Sequence, residues 1–294
     1  MSDHRPTLSI CIVSWNTRDY LDACLTSIRK TPDEVSREVI VVDNASEDGT
    51  VAMVESEHPE VLLIANDENL GYAAANNQAI AKATGKDLLL MNPDIVVHDG
   101  ALDALVDLLE RRPEAGAVAP RLILPDGSVQ ASCRSFPTPD VVLYEALGLS
   151  RLFPRSKVFG KYRMTWWDYD DERPVDQPMA SALMLRGEAL QQVGGLDEDF
   201  PIFFNDVDLC KRLYDAGYEI WYTPDASMDH VGGASTSQAP RRMLRESYRS
   251  FVRFYSKHYR DSVCWLCYAG ALGLLWIGYR ARLLLHAIRR CGGR

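Results

Sequence analysis

TLSICIVSWN, residues 7–16, puts an apolar run over Thr7–Ser14 directly in front of the polar Ser14-Trp15-Asn16. A run this short and this rich in β-branched residues predicts a strand buried on both faces rather than a helix. An amphipathic helix is expected next, near Arg18–Arg29, and then a second strand, Glu38–Val42 (EVIVV), ending at Asp43-Asn44. The alternation continues: a helix near Thr50–Glu57, a strand at Val61–Ala65, an alanine-rich helix over Tyr72–Thr84 and a strand at Asp87–Met91. Ala101–Arg111 again reads as helix and Ala115–Ala119 as strand. Strands alternating with helices at this spacing predict an α/β fold, a mostly parallel sheet with helices on both faces. Ligands of such sheets bind at the carboxyl ends of the strands, so the residues just after each strand matter most.

Residues 121–180 are less regular. Pro125-Asp126-Gly127 marks a hairpin turn, and the polar and aromatic stretch Lys161–Asp176, with Trp166 and Trp167, reads as a loop or lid. A strand at Ser181–Leu185, helices at Glu188–Val193 and Asp206–Ala216, and a strand at Glu219–Tyr222 follow. From Arg241 the pattern changes: Arg242, Arg245, Arg249, Arg253 and Lys257 recur at helical spacing on one cationic face. Val263–Tyr279 carries no charge and is flanked by Arg260 and Arg280, with Trp265, Trp276 and Tyr279 at its ends. A helix lying in a membrane surface, a full span, and a helix packed on the body or on a second copy in a homodimer all fit this run. The expected division is therefore residues 1–240 as the α/β domain and 241–294 as a basic, apolar helical extension.

The net charge of -9 is unevenly distributed, for residues 241–294 carry twelve Lys/Arg against Glu246 and Asp261. A basic tail on an acidic body suggests an anionic membrane surface as the partner of the tail, while the acidic body argues against nucleic acid. The seven cysteines are odd in number and scattered, which favours a reducing compartment over a disulfide framework. Cys264-x-x-Cys267 has no second pair and reads as incidental core or lipid-facing thiols. The polar start, Met1–Thr7, and the short run after it do not form a signal-peptide pattern.

Three strand ends gather polar groups: Ser14-Trp15-Asn16, Asp43-Asn44-Ala45-Ser46 and Asn92-Pro93-Asp94. A carboxylate at the second strand end suits the base N–H or ribose hydroxyls of a nucleoside. No G-x-G-x-x-G follows the first strand and no phosphate-binding G-x-x-x-x-G-K-[ST] occurs, so dinucleotide and P-loop readings fail. An acidic body would instead meet a diphosphate through a divalent cation, Mg²⁺ or Mn²⁺, with Asp94 as an oxygen ligand and His230 as a candidate second. Asp94 could equally be a turn residue or the cap of a helix over Val96–Leu102. Asp206 and Asp208, in the first turn of a helix, read either as capping carboxylates or as a general base. Asp197 and Asp199 read as turn residues.

Together these segments resemble family 2 of the inverting glycosyltransferases, which have the Rossmann-like GT-A fold, and in particular its rhamnosyltransferase-like branch. The resemblance rests on SICIVSWN (9–16), VVDNASEDG (41–49), NLGYAAANN (69–77), LLMNPD (89–94), GGLDED (194–199), FFNDVDLCKRL (203–213) and HVGGAS (230–235), in the family's order. It implies nucleoside contacts at Asn16 and Asp43, with Asn44 and Ser46 beside them, and Asn69, Gly71 and Asn76 along the diphosphate-sugar side. Asp94 stands where the family's metal aspartate stands, His230 matches a histidine completing that site, and Asp206 matches the base. Two departures are visible: Asn92-Pro93-Asp94 offers one carboxylate where D-x-D offers two, and Asn205-Asp206 replaces a Glu-Asp pair.

The resemblance implies transfer of a sugar, rhamnose from dTDP-rhamnose first and UDP-linked sugars next, to a glycan or polyprenyl-linked acceptor in bacterial surface-glycan synthesis. It places the enzyme on the cytoplasmic face of the plasma membrane. A sugar-phosphate nucleotidylyltransferase is the rival enzyme, but Ser14-Trp15-Asn16-Thr17 is not the glycine-rich, lysine-bearing loop that class opens with. A non-catalytic sugar-nucleotide-binding protein is the other alternative.

Overall fold

A computed structural model of the chain describes residues 6–232 and 240–291. They form two compact units, Met1–Cys133 with Tyr169–Gln238, and Arg134–Asp168 with Ala239–Arg294. The second unit takes in residues 134–168 together with the C-terminal segment.

The first unit is built on a nine-stranded sheet. Its strands are β1 (Leu8–Ser14), β2 (Arg37–Asp43), β3 (Leu62–Ala65), β4 (Asp87–Met91), β5 (Ile95–Val97), β6 (Ala115–Ile123), β7 (Arg173–Val175), β8 (Ala182–Leu185) and β9 (Glu219–His230). They lie in the order β3-β2-β1-β4-β8-β6-β9-β5, with β7 added against β9. β1 is parallel to β2 and β4, whereas β8 is antiparallel to β4 and β6. All seven residues of β1 are buried, as its continuous apolar pattern requires of a strand covered on both faces. The helix Arg18–Lys30 covers the sheet with Leu21, Cys24, Leu25 and Ile28, and the helix Ala101–Arg111 with Leu102, Leu105, Val106 and Leu109. Both sets recur every three or four residues, one stripe of each helix. Each fully buried leucine or isoleucine contributes about 1.5–3 kcal/mol of transfer free energy, so this core holds the strand ends rigidly.

Three local readings change. Ile95–Val97, where a helix over Val96–Leu102 is one alternative, is a strand paired with Met228–His230, and the helix runs over Ala101–Arg111 as expected. β9 runs on past Tyr222 to His230, through an irregularity between Thr223 and Ser227 that lets the polar Asp225 and Asp229 face solvent. The expected loop Lys161–Asp176 contains β7, whose Arg173–Val175 pairs with Tyr222–Ile220. The hairpin is present: Gly127 donates to the Leu124 carbonyl and Leu124 to that of Ser128.

In the second unit the helix Trp265–Cys291 packs on the helices Pro139–Ala146 and Pro240–His258. Phe254 and Tyr255 are fully buried there, and Tyr248 stacks on Tyr279 with ring centroids 4.4 Å apart. Arg245, Arg249, Arg253 and Lys257 are exposed along the Pro240–His258 helix, while the side chains of Arg242, Arg282, Arg289 and Arg290 lie outside the described residues. Cys264 and Cys267 are exposed rather than in a core. Among the described residues no helix is long and apolar enough to cross a membrane.

Candidate active site

β1, β2 and β4 end along one edge of the sheet. Ser14 pairs with Asp43 in register, and Met91 pairs with Ala182 where β8 enters from the same edge. Asp43 is almost wholly buried. Its Oδ2 accepts the Ser46 N–H at 2.8 Å, but its Oδ1 has no hydrogen-bond partner. A buried carboxylate oxygen left unpaired costs free energy, and a ligand N–H or O–H would recover it. Asn16, in the left-handed region at φ 51°, braces the loop around Asp43. It donates its N–H to Ser46 Oγ at 2.8 Å, and its Oδ1 accepts the Glu47 N–H at 2.8 Å. The buried Asn44 amide donates to the Gly71 carbonyl and accepts from Asn66, which ties two loops together.

Asn69 Oδ1 accepts the Gly71 N–H at 3.0 Å, a tight turn that swings the chain into the helix Tyr72–Lys82. Gly71 sits at φ 87°, and an added Cβ would lie 3.0 Å from the Pro201 carbonyl oxygen, which accepts the Tyr72 N–H at 2.7 Å. Only glycine fits so close an approach in that conformation. Asn76 is fully buried, donates to the Tyr72 carbonyl, and keeps an unpartnered Oδ1.

Asp94 and His230, 136 positions apart, meet because β5 pairs with the end of β9. His230 Nε2 lies 3.5 Å from Asp94 Oδ1, with both side chains buried. His230 Nδ1 is 2.7 Å from Gln130 Oε1. An amide oxygen only accepts, so Nδ1 carries a proton, and in the neutral ring Nε2 would present a lone pair. That Nε2 is buried and without a hydrogen-bond partner. Asp94 Oδ2 is fixed by the Gly232 N–H at 3.0 Å, while Gly233 lies outside the described residues. Two adjacent lone-pair donors, one a histidine whose other nitrogen is anchored, suit a divalent cation. Among the described residues no group of three or more His, Cys, Asp or Glu could hold a metal ion, so oxygens of water or of a substrate would complete the coordination of such a cation.

Asp206 opens the helix Asn205–Asp215. Its Oδ1 accepts the N–H of Val207 at 2.8 Å and its Oδ2 that of Ala180 at 3.3 Å. Burial pushes its carboxyl above the usual range, against those backbone bonds. The Ala180 carbonyl in turn accepts the Tyr72 phenol at 3.2 Å, and the Ser181 carbonyl accepts the Asn92 N–H at 2.8 Å. The stretch entering β8 thus links the base candidate to the Asn92-Pro93-Asp94 turn. Burial raises the Tyr72 phenol, and the charges of Asp206 and, more weakly, Asp94 raise it further. Asp208 is buried in an ion pair with Arg212 at 2.7 Å, and Arg212 also holds the carbonyls of Val193 and Gly195. Asp208 is therefore a structural anchor, whereas Asp206 enters no ion pair with any described residue. Asp197 Oδ1 accepts the Asp199 N–H, a turn contact.

Gln130, Tyr72 and Ala180 had no assigned role in the sequence. Gln130 follows a hairpin signal and could have been found only as a polar residue returning toward β9. Ala180 acts through its backbone, which leaves no trace in residue identity.

The model of the family described as glycosyl transferase family 2 matches residues 9–166. The chain is 34% identical over 259 residues to the N-acetylglucosaminyl-diphospho-decaprenol L-rhamnosyltransferase of Mycobacterium tuberculosis, covering 84% of this chain and 83% of that protein. In structure it resembles a mannosyltransferase from Pyrobaculum calidifontis in complex with GDP-Man and Mn²⁺, with TM-score 0.59, 18% identity, and coverage of 97% of this chain and 81% of that one. It also resembles GalNAc-T7 with UDP, GalNAc and Mn²⁺, with TM-score 0.63, 12% identity, and coverage of 88% and 49%.

Proposed function

The chain belongs to glycosyl transferase family 2, and from that premise we propose that it is an inverting, metal-dependent transferase moving rhamnose from dTDP-rhamnose to a polyprenyl-linked acceptor. The observation that carries this reading is the meeting of Asp94 and His230 at 3.5 Å, with the Ala180-Ser181 backbone bonded both to Asp206 and to the Asn92-Pro93-Asp94 turn. The similarity to a decaprenol-linked rhamnosyltransferase supports the sugar and the acceptor class. Asp43 Oδ1, unpaired and buried, would take a hydrogen bond from the nucleoside, with Asn16, Asn44 and Ser46 shaping its loop. Asn69, Gly71 and Asn76 would line the diphosphate-sugar side, where Gly71 lets backbone come close.

Asp94 and His230 would hold the divalent cation, which when bound offsets the charge growing on the departing diphosphate. Asp206 accepts the proton of the attacking hydroxyl as its oxygen bonds to the anomeric carbon. Burial, which raises its pKa, makes the ionised carboxylate a stronger base than an exposed aspartate. The attack comes from the face opposite the leaving diphosphate, so the configuration inverts. The cationic face of the Pro240–His258 helix and the apolar Trp265–Cys291 helix would hold the enzyme on an anionic membrane, where a lipid-linked acceptor resides.

A thermal-shift screen of dTDP- and UDP-sugars, each with Mn²⁺, Mg²⁺ or EDTA, tests the donor half. A donor at about 100 times its Kd stabilises by ~2.7 kcal/mol. The expected result is a metal-dependent rise with a dTDP-sugar; equal shifts with EDTA would remove the metal from donor binding.

A further inference from the structure

Exposed apolar side chains cluster unevenly in this chain. Of the sixteen large hydrophobic residues exposed among the described residues, nine fall in the second unit. Four of these, Leu147, Leu152, Phe153 and Val158, lie within twelve consecutive positions, with Leu152 70% and Leu147 59% exposed. The same stretch is cationic: from Leu147 to Trp167 there are five Lys/Arg and no acid, in a chain of net charge -9. Arg163 is paired with Glu145 and Lys157 lies over the Trp166 ring, but Arg151, Arg155 and Lys161 are exposed and enter no ion pair with any described residue.

The segment is held in shape from within. Phe159 packs edge-on against Tyr144 at 5.2 Å and at a tilt against Phe153 at 5.5 Å. Thr165 Oγ1 donates to the Pro154 carbonyl at 2.5 Å, and the Gly160 N–H to that of Ser156 at 2.8 Å. The exposed leucines and valine are thus presented by a built loop. The helix Pro139–Ala146 that leads into it packs on Trp265–Cys291, itself bearing exposed Trp265, Leu266, Trp276 and Ile277.

We propose that residues 147–163 form a second membrane-contacting element that inserts Leu152, Phe153 and Val158 among the lipids of an anionic bilayer while Arg151, Arg155 and Lys161 bind its headgroups. Apolar side chains ringed by cations and tryptophan are the pattern of an interfacial anchor, and anionic lipid supplies the complementary charge. A self-contact of this face in a dimer would set unpaired cations against cations, which like-charge repulsion opposes. Two separated segments of one unit would then grip the membrane together, fixing the enzyme's orientation better than a single tail helix. The inference rests on the lipid-linked acceptor proposed above for its purpose, but not for its test.

The test uses the full chain with vesicles of phosphatidylcholine alone or mixed with phosphatidylglycerol, without donor or acceptor. The wild type should sediment with the anionic vesicles and far less with the neutral ones. Leu152→Ser with Phe153→Ser should weaken anionic-vesicle binding at least tenfold, and Arg151→Ser with Arg155→Ser roughly fivefold for each cation removed at low salt. Donor-induced thermal shifts should stay unchanged in both variants, so loss of the membrane contact and failure of the transferase reading remain distinguishable. Unaltered vesicle binding in both pairs would overturn the proposal, as would a change from dimer to monomer in light scattering with vesicle binding intact. Should the serine pair unfold the unit, Phe153→Trp decides. Extra emission quenched by brominated lipid supports insertion, and unquenched emission refutes it.

Discussion

Asp206→Asn isolates the proton-accepting step. The carboxylate meets two backbone donors, Val207 at 2.8 Å and Ala180 at 3.3 Å. An amide has one acceptor oxygen, which goes to the shorter bond, so the bond to Ala180 is lost at a cost of about 0.5–1.5 kcal/mol. Burial supplies an opposing term. A carboxyl whose folded pKa is raised favours the folded state fully below its unfolded pKa, and that advantage is lost as pH rises through the folded value. Wherever it is ionised, the buried aspartate therefore weakens the fold and the amide relieves that cost, while toward acid pH the wild type regains ground. The two terms oppose and offset one another in the Tm. Turnover has no such compensation. Removing a general base costs ~10²–10⁴ in rate, which is about 2.7–5.4 kcal/mol on the barrier. The assay pairs steady-state sugar transfer with donor thermal shifts on the same preparation: transfer should collapse while the shift persists. In the wild type the acid limb of kcat/KM should fall above the usual carboxylate range, following the raised pKa. Transfer by the variant within about threefold of wild type would refute Asp206 as the base.

Three further outcomes follow from the same geometry. Asp43→Asn keeps an acceptor for Ser46 but turns an N–H₂ group toward the ligand; charged hydrogen bonds are worth about 1.5–3 kcal/mol, so donor Kd should rise roughly 10- to 150-fold by calorimetry. Gln130→Ala frees the His230 ring to rotate and change tautomer. Mn²⁺ affinity in the presence of a nucleoside diphosphate, read by electron paramagnetic resonance, should fall about 10- to 100-fold, and an unchanged affinity would dismiss the anchor. Gly71→Ala forces an L side chain into φ 87° with its Cβ against the Pro201 carbonyl, and urea unfolding should report a loss of about 1–3 kcal/mol.

Much of this arrangement is legible in the residues because the signals are local. The continuous burial of Leu8–Ser14, Arg37–Asp43 and Asp87–Met91 toward their carboxyl ends follows from uninterrupted apolar runs, and the polar residues after them mark the edge where a ligand sits. Asp208 could also have been set aside in advance, since Arg212 stands four residues on along the same helix. What escaped notice depends on partners distant in the chain. Ile95–Val97 is a strand only because Met228–His230 lies beside it, and three residues are too few to carry a period. Residues 134–168 join the C-terminal helices through packing that no spacing announces, although Thr138-Pro139-Asp140 is a readable helix start. Gln130 becomes meaningful only once His230 is next to it.

The most direct measurement offers purified protein, Mg²⁺ or Mn²⁺, labelled dTDP-rhamnose and a polyprenyl-diphospho-N-acetylglucosamine acceptor, and counts label in the lipid phase. The account predicts a lipid-linked product that disappears with EDTA and with Asp206→Asn. Absence of label from the lipid with dTDP-, UDP- and GDP-sugars alike, metal being present, would contradict it.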